Sequence, residues 1–195
     1  MWDGTHLRED GDMHNAKVHW TIYESPIGPL TLVVGPSGII SLGFPGRVRP
    51  PAEAIKRPMP ETVDQLEAYF AGELRTFDLA LDLHGTPLQK AVWDELLEIP
   101  YGTTTSYGEL AGRIDESLYR SEIETYRRAR AVGTANGRNP VPIIVPCHRV
   151  IGADGSLTGY GGGLQRKQAL LDLERRSLAG EPLDPSWSHR QLAML

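Results

Sequence analysis

Apolar residues alternate loosely from Val18 to Tyr23 and recur from Leu30 to Val34 and from Ile39 to Phe44. Pro26-Ile27-Gly28-Pro29 and Gly35-Pro36-Ser37-Gly38 separate the three runs. Short runs punctuated by Pro/Gly turns predict an antiparallel meander. Pro45 to Pro60 is proline-rich and reads as a surface loop. Val63, Leu66, Tyr69 and Phe70 then fall at helical spacing, with Gly72 near the end of the helix they predict. Phe77 to Leu83 alternates again and reads as a further strand, after which Gly85 marks a domain boundary.

Beyond Gly85 the pattern becomes helical. Thr86-Pro87-Leu88-Gln89 is a capping box with proline at the first helical position. Leu88, Val92 and Leu96 line one face, and Pro100 stops the helix. Ser106-Tyr107-Gly108-Glu109 opens a short helix to about Arg113. Ser121-Glu122-Ile123-Glu124 opens another, expected to reach Asn136 with Gly137 as its C-terminal glycine. Two short helices in succession, the second rich in arginine, predict a helix-turn-helix. Val141 to Val150 is apolar, carries Pro142 and Pro146, and reads as extended. Asp154-Gly155 is a hairpin turn signal, and Gly161-Gly162-Gly163 leads into a last helix from Leu164 to about Arg175. No internal repeat is visible.

The chain has 195 residues, enough for one or two small domains. No apolar run is long enough to span a membrane, and Met1 to Asn15 contains no apolar stretch of the kind a secretory signal needs. A single cysteine excludes an internal disulfide framework and a Cys-rich zinc site, so no metal or cofactor is expected and the default location is the reducing cytoplasm. The net charge of −5 argues against a nucleic-acid partner, but its distribution is uneven. Residues 1–85 hold 7 basic against 12 acidic side chains, and residues 86–176 hold 12 against 11. Arginine clusters at Arg127, Arg128 and Arg130 and at Arg166-Lys167 are most often a solvated helix face; they permit DNA binding without requiring it.

The cysteine closes an apolar segment, Ile143-Ile144-Val145-Pro146-Cys147, and His148 follows at once. A buried cysteine is most often inert packing. An adjacent imidazole can take the thiol proton directly or through one water, if the loop turns it inward. Glu174 on the last helix is a candidate to orient that imidazole. Taken alone, His148 reads equally as a satisfied structural histidine and Glu174 as an exposed helix charge. Sulfur is soft and nucleophilic, and suits direct attack on a saturated carbon.

Pro146-Cys147-His148-Arg149-Val150-Ile151-Gly152, followed by Gly155, Gly159-Tyr160-Gly161-Gly162-Gly163 and Arg166-Lys167, resembles the active-site signature of the O6-alkylguanine-DNA alkyltransferases. Val92-Trp93, Ile99-Pro100-Tyr101-Gly102, Ser106-Tyr107-Gly108, Ala131-Val132-Gly133, Ala135-Asn136 and Asn139-Pro140 extend the match, which runs from about Val18 to Glu174. In the first half it rests on Ser25-Pro26-Ile27-Gly28-Pro29-Leu30 and Tyr69-Phe70. The resemblance implies repair of alkylated double-stranded DNA in a single, irreversible transfer. The damaged nucleotide is flipped out of the duplex, and the O6-alkyl group of guanine, with O4-alkylthymine left open, passes to Cys147.

By the same resemblance His148 is the base and Glu174 orients it, Asn139 holds the cysteine loop, and Tyr107 hydrogen-bonds the guanine or helps rotate the nucleotide. Arg130 fills the space left by the flipped base, with Ala131, Gly133 and Arg127 on the DNA-binding helix, which lies in the minor groove. Val145, Cys147, Tyr160, Gly161 and Gly162 line the substrate pocket. The implied fold is a small N-terminal α/β domain, an antiparallel sheet plus helix, over residues 16–85. A mainly α, helix-turn-helix and winged-helix-like DNA-binding domain follows over residues 86–176. Residues 1–15 are read as a flexible extension and 177–195 as a tail with Trp187. A monomer without membrane attachment is expected, nucleoid-associated when on DNA, with cooperative DNA binding left open.

The chain departs from the family between Ala111 and Arg130, where a short Gly/Pro-containing turn is usual and Gly112 to Ala129 stand instead. These extra residues are expected to lengthen the second helix or its lead-in and to add phosphate contacts through Arg120 and Arg127. The rival readings are a non-catalytic protein that binds alkylated DNA, a regulator with a repair domain, an unrelated thiol enzyme and a structural helix-turn-helix module. Family members that only bind damage lack the cysteine, and the regulators carry a multi-cysteine zinc module; Cys147 stands against the first, and its being the only cysteine against the second.

Overall fold

The computed structural model describes residues 17–119 and 125–183. The N-terminal extension, Arg120 to Glu124 and the Trp187 tail, for which the sequence sets expectations, lie wholly or partly outside the described residues. Strands β1 (His19–Ser25), β2 (Gly28–Gly35) and β3 (Gly38–Gly43) form the expected antiparallel meander. The tight connections need glycine where they turn: Gly28 has φ +107° and Gly38 φ +145°. At Gly38 a side chain is also excluded by space, since a Cβ would stand 2.5 Å from the Ala80 carbonyl oxygen. Leu30, Leu32, Ile39 and Leu42 are buried in the same apolar cluster as Leu66, Tyr69 and Phe70 of α1 (Pro60–Phe70). Each fully buried aliphatic side chain contributes roughly 1.5–3 kcal/mol.

Two expectations for this half are corrected. The proline-rich segment is not all loop: β4 (Ile55–Lys56) pairs parallel with His19 and Trp20, giving the sheet order β3-β2-β1-β4. Phe77 to Leu83 does not form a strand, and only Leu81 bridges to Ile39. Its alternation is real, because Phe77, Leu79, Leu81 and Leu83 all pack on the core. Alternation reports which side is apolar, not whether a sheet edge is available to pair with.

The helical half comprises α2 (Pro87–Leu97), α3 (Tyr107–Arg113), α4 (Thr125–Gly137) and α5 (Leu164–Leu178). The capping boxes at Thr86/Gln89 and Ser106/Glu109 are both formed. The buried Trp93 indole donates to the Ala135 carbonyl at 3.0 Å, tying α2 to α4. Strand β5 (Thr105–Ser106) pairs parallel with β6 (Val150–Ile151). The predicted fold class therefore holds, a small sheet domain followed by a helical one.

Three local expectations differ. Gly137 is the last helical residue rather than a left-handed cap; Arg138 and Asn139 close the helix with hydrogen bonds to Ala135 and Asn136. Asp154-Gly155 makes a tight turn, with Gly155 at φ +80°, but no hairpin ladder flanks it. Val141 to Val150 is not extended. It folds into a compact turn bridged between Pro142 and Val145, then a 3-10 turn at Cys147–Arg149. Asn139 clamps this loop: its Oδ1 accepts from Val141 N at 3.0 Å and its Nδ2 donates to the Val145 carbonyl at 2.8 Å. Ile143 sits at φ +79° within it, a conformation that costs a β-branched residue of order 1–3 kcal/mol.

Of the extra residues before Arg130, Glu116–Leu118 form a 3-10 turn capped by Asp115. Tyr119 is buried and donates to the Ala111 carbonyl at 3.0 Å, anchoring the segment back onto α3. Arg128 of α4 pairs with Glu116 and lies over the Tyr119 ring.

Gly38→Ala tests the backbone constraint. Strain and contact with the Ala80 carbonyl are expected to cost about 2 kcal/mol or more, read as a lower midpoint in urea unfolding.

Candidate active site

Cys147 begins the 3-10 turn and is 4% exposed. Burial pushes its thiol up to about 11, and the Asn139 amide, Lys167 and Arg47 only partly offset this. The resting group at neutral pH is therefore a protonated thiol, and attack requires that a base remove its proton.

A candidate for that base lies next in sequence. The 3-10 turn carries His148 inward, where it is fully buried. Its Nε2 stands 2.9 Å from Glu174 Oε1. A carboxylate only accepts, so Nε2 holds the ring proton and Nδ1 keeps its lone pair. Nδ1 is buried and has no hydrogen-bond partner among the described residues. Burial holds the imidazole below its usual range, against the opposing pull of Glu174, so the ring is neutral at physiological pH.

Glu174 is completely buried on α5 and accepts from four groups. Tyr69 Oη and His148 Nε2 each lie 2.9 Å from Oε1. The Gly102 amide donates to Oε2 at 2.9 Å. Arg149 spans the carboxylate, with Nη2 2.8 Å from Oε1 and Nε 3.0 Å from Oε2. Burial alone would raise the carboxyl; His148, which gains a proton in acid, and Arg149 outweigh it through charge and hydrogen bonds and bring the group to about 2. Gly102 is at φ +74°, and a Cβ there would lie 2.1 Å from Leu178 Cδ1, so glycine is what lets this amide approach α5.

Cys147 opens onto a cavity of about 440 Å³ between the sheet domain and the helical domain. Leu42, Phe44 and Arg47 line one side; Asn139, Tyr160, Gly161 and Gly162 line the other. The sheet domain holds the glycine turn in place: Arg47 donates to the Gly161 carbonyl, and Arg166 donates to both Gly162 and Ile27 while its guanidinium lies 4.1 Å from the Phe44 ring centroid. A Cβ on Gly162 would stand 2.5 Å from Phe44 Cε2 and 2.6 Å from Tyr160 Cε1. The turn is thus glycine because side chains of both domains press on it.

Of the residues singled out in the sequence, Cys147, Asn139, Tyr160, Gly161 and Gly162 meet at this cavity; His148 and Glu174 do not line it but pair with each other in the core. Val145 does not line it; its carbonyl is already occupied by Asn139 Nδ2 and the Cys147 amide. Tyr107 is the first residue of α3, and its hydroxyl reaches the Thr158 and Gly159 carbonyls at 3.2 and 3.3 Å. Gly133 of α4 lies beside the Tyr107 ring, Ala131 is half-buried, and Arg127 and Arg130 are exposed on the same helix.

Sequence reasoning assigned no role to Tyr69, Arg149, Lys167 or Arg47. Arg149 was visible within the motif, where an arginine in an apolar run calls for a buried partner. Lys167 is fully buried, with Nζ on the Val150 and Thr158 carbonyls at 2.5 and 2.6 Å. Burial brings it down to about 8 although Cys147 pulls the other way. Among the described residues no group of three or more His, Cys, Asp or Glu is placed to hold a metal, and no helix is long and apolar enough to cross a membrane.

Fold and cavity together define a class: a cysteine at a cavity, followed in the chain by a buried histidine–glutamate pair, set in a helical domain and walled by a small sheet domain. Residues 18–83 match the family model described as 6-O-methylguanine DNA methyltransferase, ribonuclease-like domain, and residues 87–176 its DNA binding domain. A methylated-DNA–protein-cysteine methyltransferase of Mycobacterium tuberculosis is 52% identical over 162 residues, covering 81% of this chain and 93% of that protein. Its namesake in Methanosarcina barkeri is 48% identical, covering 83% and 99%. The crystal structure of Mycobacterium tuberculosis OGT in complex with DNA superposes with a TM-score of 0.74 at 47% identity, covering 89% of this chain and 99% of that one. The chain belongs to the 6-O-methylguanine DNA methyltransferase family.

The charge state of the buried network sets an expectation for acid stability. Glu174 is depressed from 4.5 to about 2, so its contribution is complete above pH 4.5 and is lost as pH falls towards 2. Urea unfolding of wild type and Glu174→Gln across pH 7 to 3 should show a gap, about 3 kcal/mol at neutrality for a broken buried pair, that narrows in acid.

Proposed function

We propose that this protein repairs DNA by direct reversal, taking the alkyl group from O6-alkylguanine onto Cys147 in one irreversible step. The observation that carries the mechanism is the buried His148–Glu174 pair that directly follows Cys147 in the chain, in which the imidazole keeps Nδ1 uncommitted while burial holds the thiol near 11. His148 Nδ1 takes the thiol proton, directly or across one water, and Glu174 balances the imidazolium that forms. The sulfur lone pair forms the S–C bond, the C–O6 bond breaks, and its electrons go to the guanine, which takes back a proton. The S–C bond of the resulting thioether is not cleaved by thiol reductants, so the thiol is not restored and each chain acts once.

The partner is DNA. The relative from Mycobacterium tuberculosis was crystallised in complex with it, and residues 87–176 carry the family's DNA binding domain. Cys147 is buried at the back of the cavity's lining, so the damaged nucleotide must leave the base stack to reach it. Arg130, exposed on α4, fills the space it leaves. Ala131, Gly133 and Arg127 follow the duplex, and Tyr107 contacts the rotated nucleotide. Tyr160, Gly161 and Gly162 receive the base, while Asn139 keeps the cysteine loop in place. The protein acts as a monomer in the cytoplasm, at the nucleoid. The extra residues before Arg130 present Arg127 to a flanking phosphate. Deletion of Asp115 to Ile123 is then expected to weaken DNA binding and to reduce its salt dependence by about one phosphate contact, measured by titration at several salt concentrations.

Intact-mass spectrometry after mixing with an O6-methylguanine duplex tests the reading directly. One methyl-sized gain per chain is expected, mapped to Cys147 and stable to reductant, and absent in Cys147→Ala, which should still bind the duplex. Tight binding without any mass gain in wild type would instead favour a damage-binding protein.

A further inference from the structure

The geometry points to Tyr69, a residue of the sheet domain, as a positioning residue of the transfer relay, acting through Glu174 on His148. This rests on the reading of Cys147 and His148 given above, and extends it across the domain boundary.

Tyr69 lies on α1 and is fully buried. Its ring packs against Phe70, Phe77 and Tyr101, which would account for an ordinary core tyrosine. The hydroxyl has a more specific position. It donates at 2.9 Å to Oε1 of Glu174, the oxygen that His148 Nε2 faces at the same distance. Two donors from different domains therefore share one lone-pair region, with Arg149 Nη2 as a third at 2.8 Å. A second tie holds the two helices in register: Ser177 Oγ, one turn beyond Glu174 on α5, donates to the Gly72 carbonyl just past α1 at 2.8 Å.

The consequence for His148 has a definite sign. The hydroxyl places the positive end of its dipole at Oε1 and draws negative charge away from the imidazole side of the carboxylate. Without it, Oε1 attracts the Nε2 proton more strongly, and protonated His148 becomes easier to form. The ionisable groups facing the pair are Tyr69 from α1, Tyr101 from the turn after α2, Arg149 from the 3-10 turn, and Lys167 from α5 itself. All but Tyr69 are unchanged when its hydroxyl is removed. Glu174 also keeps the Arg149 and Gly102 donors, so the loss leaves no unpaired buried charge.

Tyr69→Phe in the full chain is the test, because it keeps the ring and removes one donor. Single-turnover transfer from an O6-methylguanine duplex is measured against pH, and the His148 ring nitrogens are followed by NMR in the free protein. Expected are a plateau rate about tenfold lower, the usual scale for losing a group that orients a reacting residue, an acid limb moved to higher pH, and a His148 titration moved the same way. Unchanged rate, limb and titration would overturn the inference. So would a slower rate with limb and titration unmoved, since that marks packing alone. Absence of transfer in wild type would defeat the functional reading instead, and the His148 titration would then decide the role of Tyr69 by itself. Should Tyr69→Phe fail to fold, wild type supplies the answer: a slowly exchanging Tyr69 hydroxyl proton showing a nuclear Overhauser contact to the His148 Nε2 proton supports the link, and a freely exchanging one overturns it.

Discussion

The structure is organised around one buried carboxylate. Glu174 has no access to solvent, yet remains ionised because donors converge on it from three other parts of the chain: α1, the turn after α2, and the 3-10 turn of the cysteine loop. An unpaired charge in that position would cost several kcal/mol, so each donor must arrive together with the segment that carries it. The sheet domain, the turn at Gly102 and the cysteine loop are thereby fixed relative to α5. The reacting thiol inherits its position from this requirement, as the first residue of the turn that supplies two of the donors.

The second constraint is the cysteine loop itself. Two prolines remove backbone donors, Ile143 accepts a left-handed conformation, and the Asn139 side chain takes the place of the missing ladder bonds. Such a loop holds its shape only where its surroundings over-determine it. Here they do, since nearly every residue from Val141 to Val150 is buried. The cavity in front of the cysteine is then completed from the opposite domain by Phe44 and Arg47, so neither half of the chain contains the site alone.

Much of this was legible in the sequence for identifiable reasons. The meander followed from Gly28 and Gly38, and the starts of α2 and α3 from their capping boxes, because those signals are local. Cys147, His148 and Glu174 were found through the motif and its match further along the chain. Tyr69 was not, because a tyrosine at a core position of an amphipathic helix carries no mark of where its hydroxyl ends, 105 residues away. The loop from Val141 to Val150 was misread as extended, since proline and β-branched content cannot distinguish a strand from a buried turn clamped by a side chain. The run from Phe77 to Leu83 was misread for a related reason: its apolar side was plain, but it meets the edge of β3 only at the single bridge from Leu81 to Ile39 and forms no ladder.

The high proton affinity of Cys147 has a consequence for a chain that acts once. With its thiol near 11, very little of the cysteine is thiolate at neutral pH. Peroxides, disulfides and stray electrophiles react with thiolates, and the sulfur is also buried away from them. The cysteine is therefore chemically quiet in the cell and becomes reactive only when a correctly seated electrophile and the neighbouring base act on it together. Selectivity resides in the coincidence of these two conditions, and shelf life in their absence.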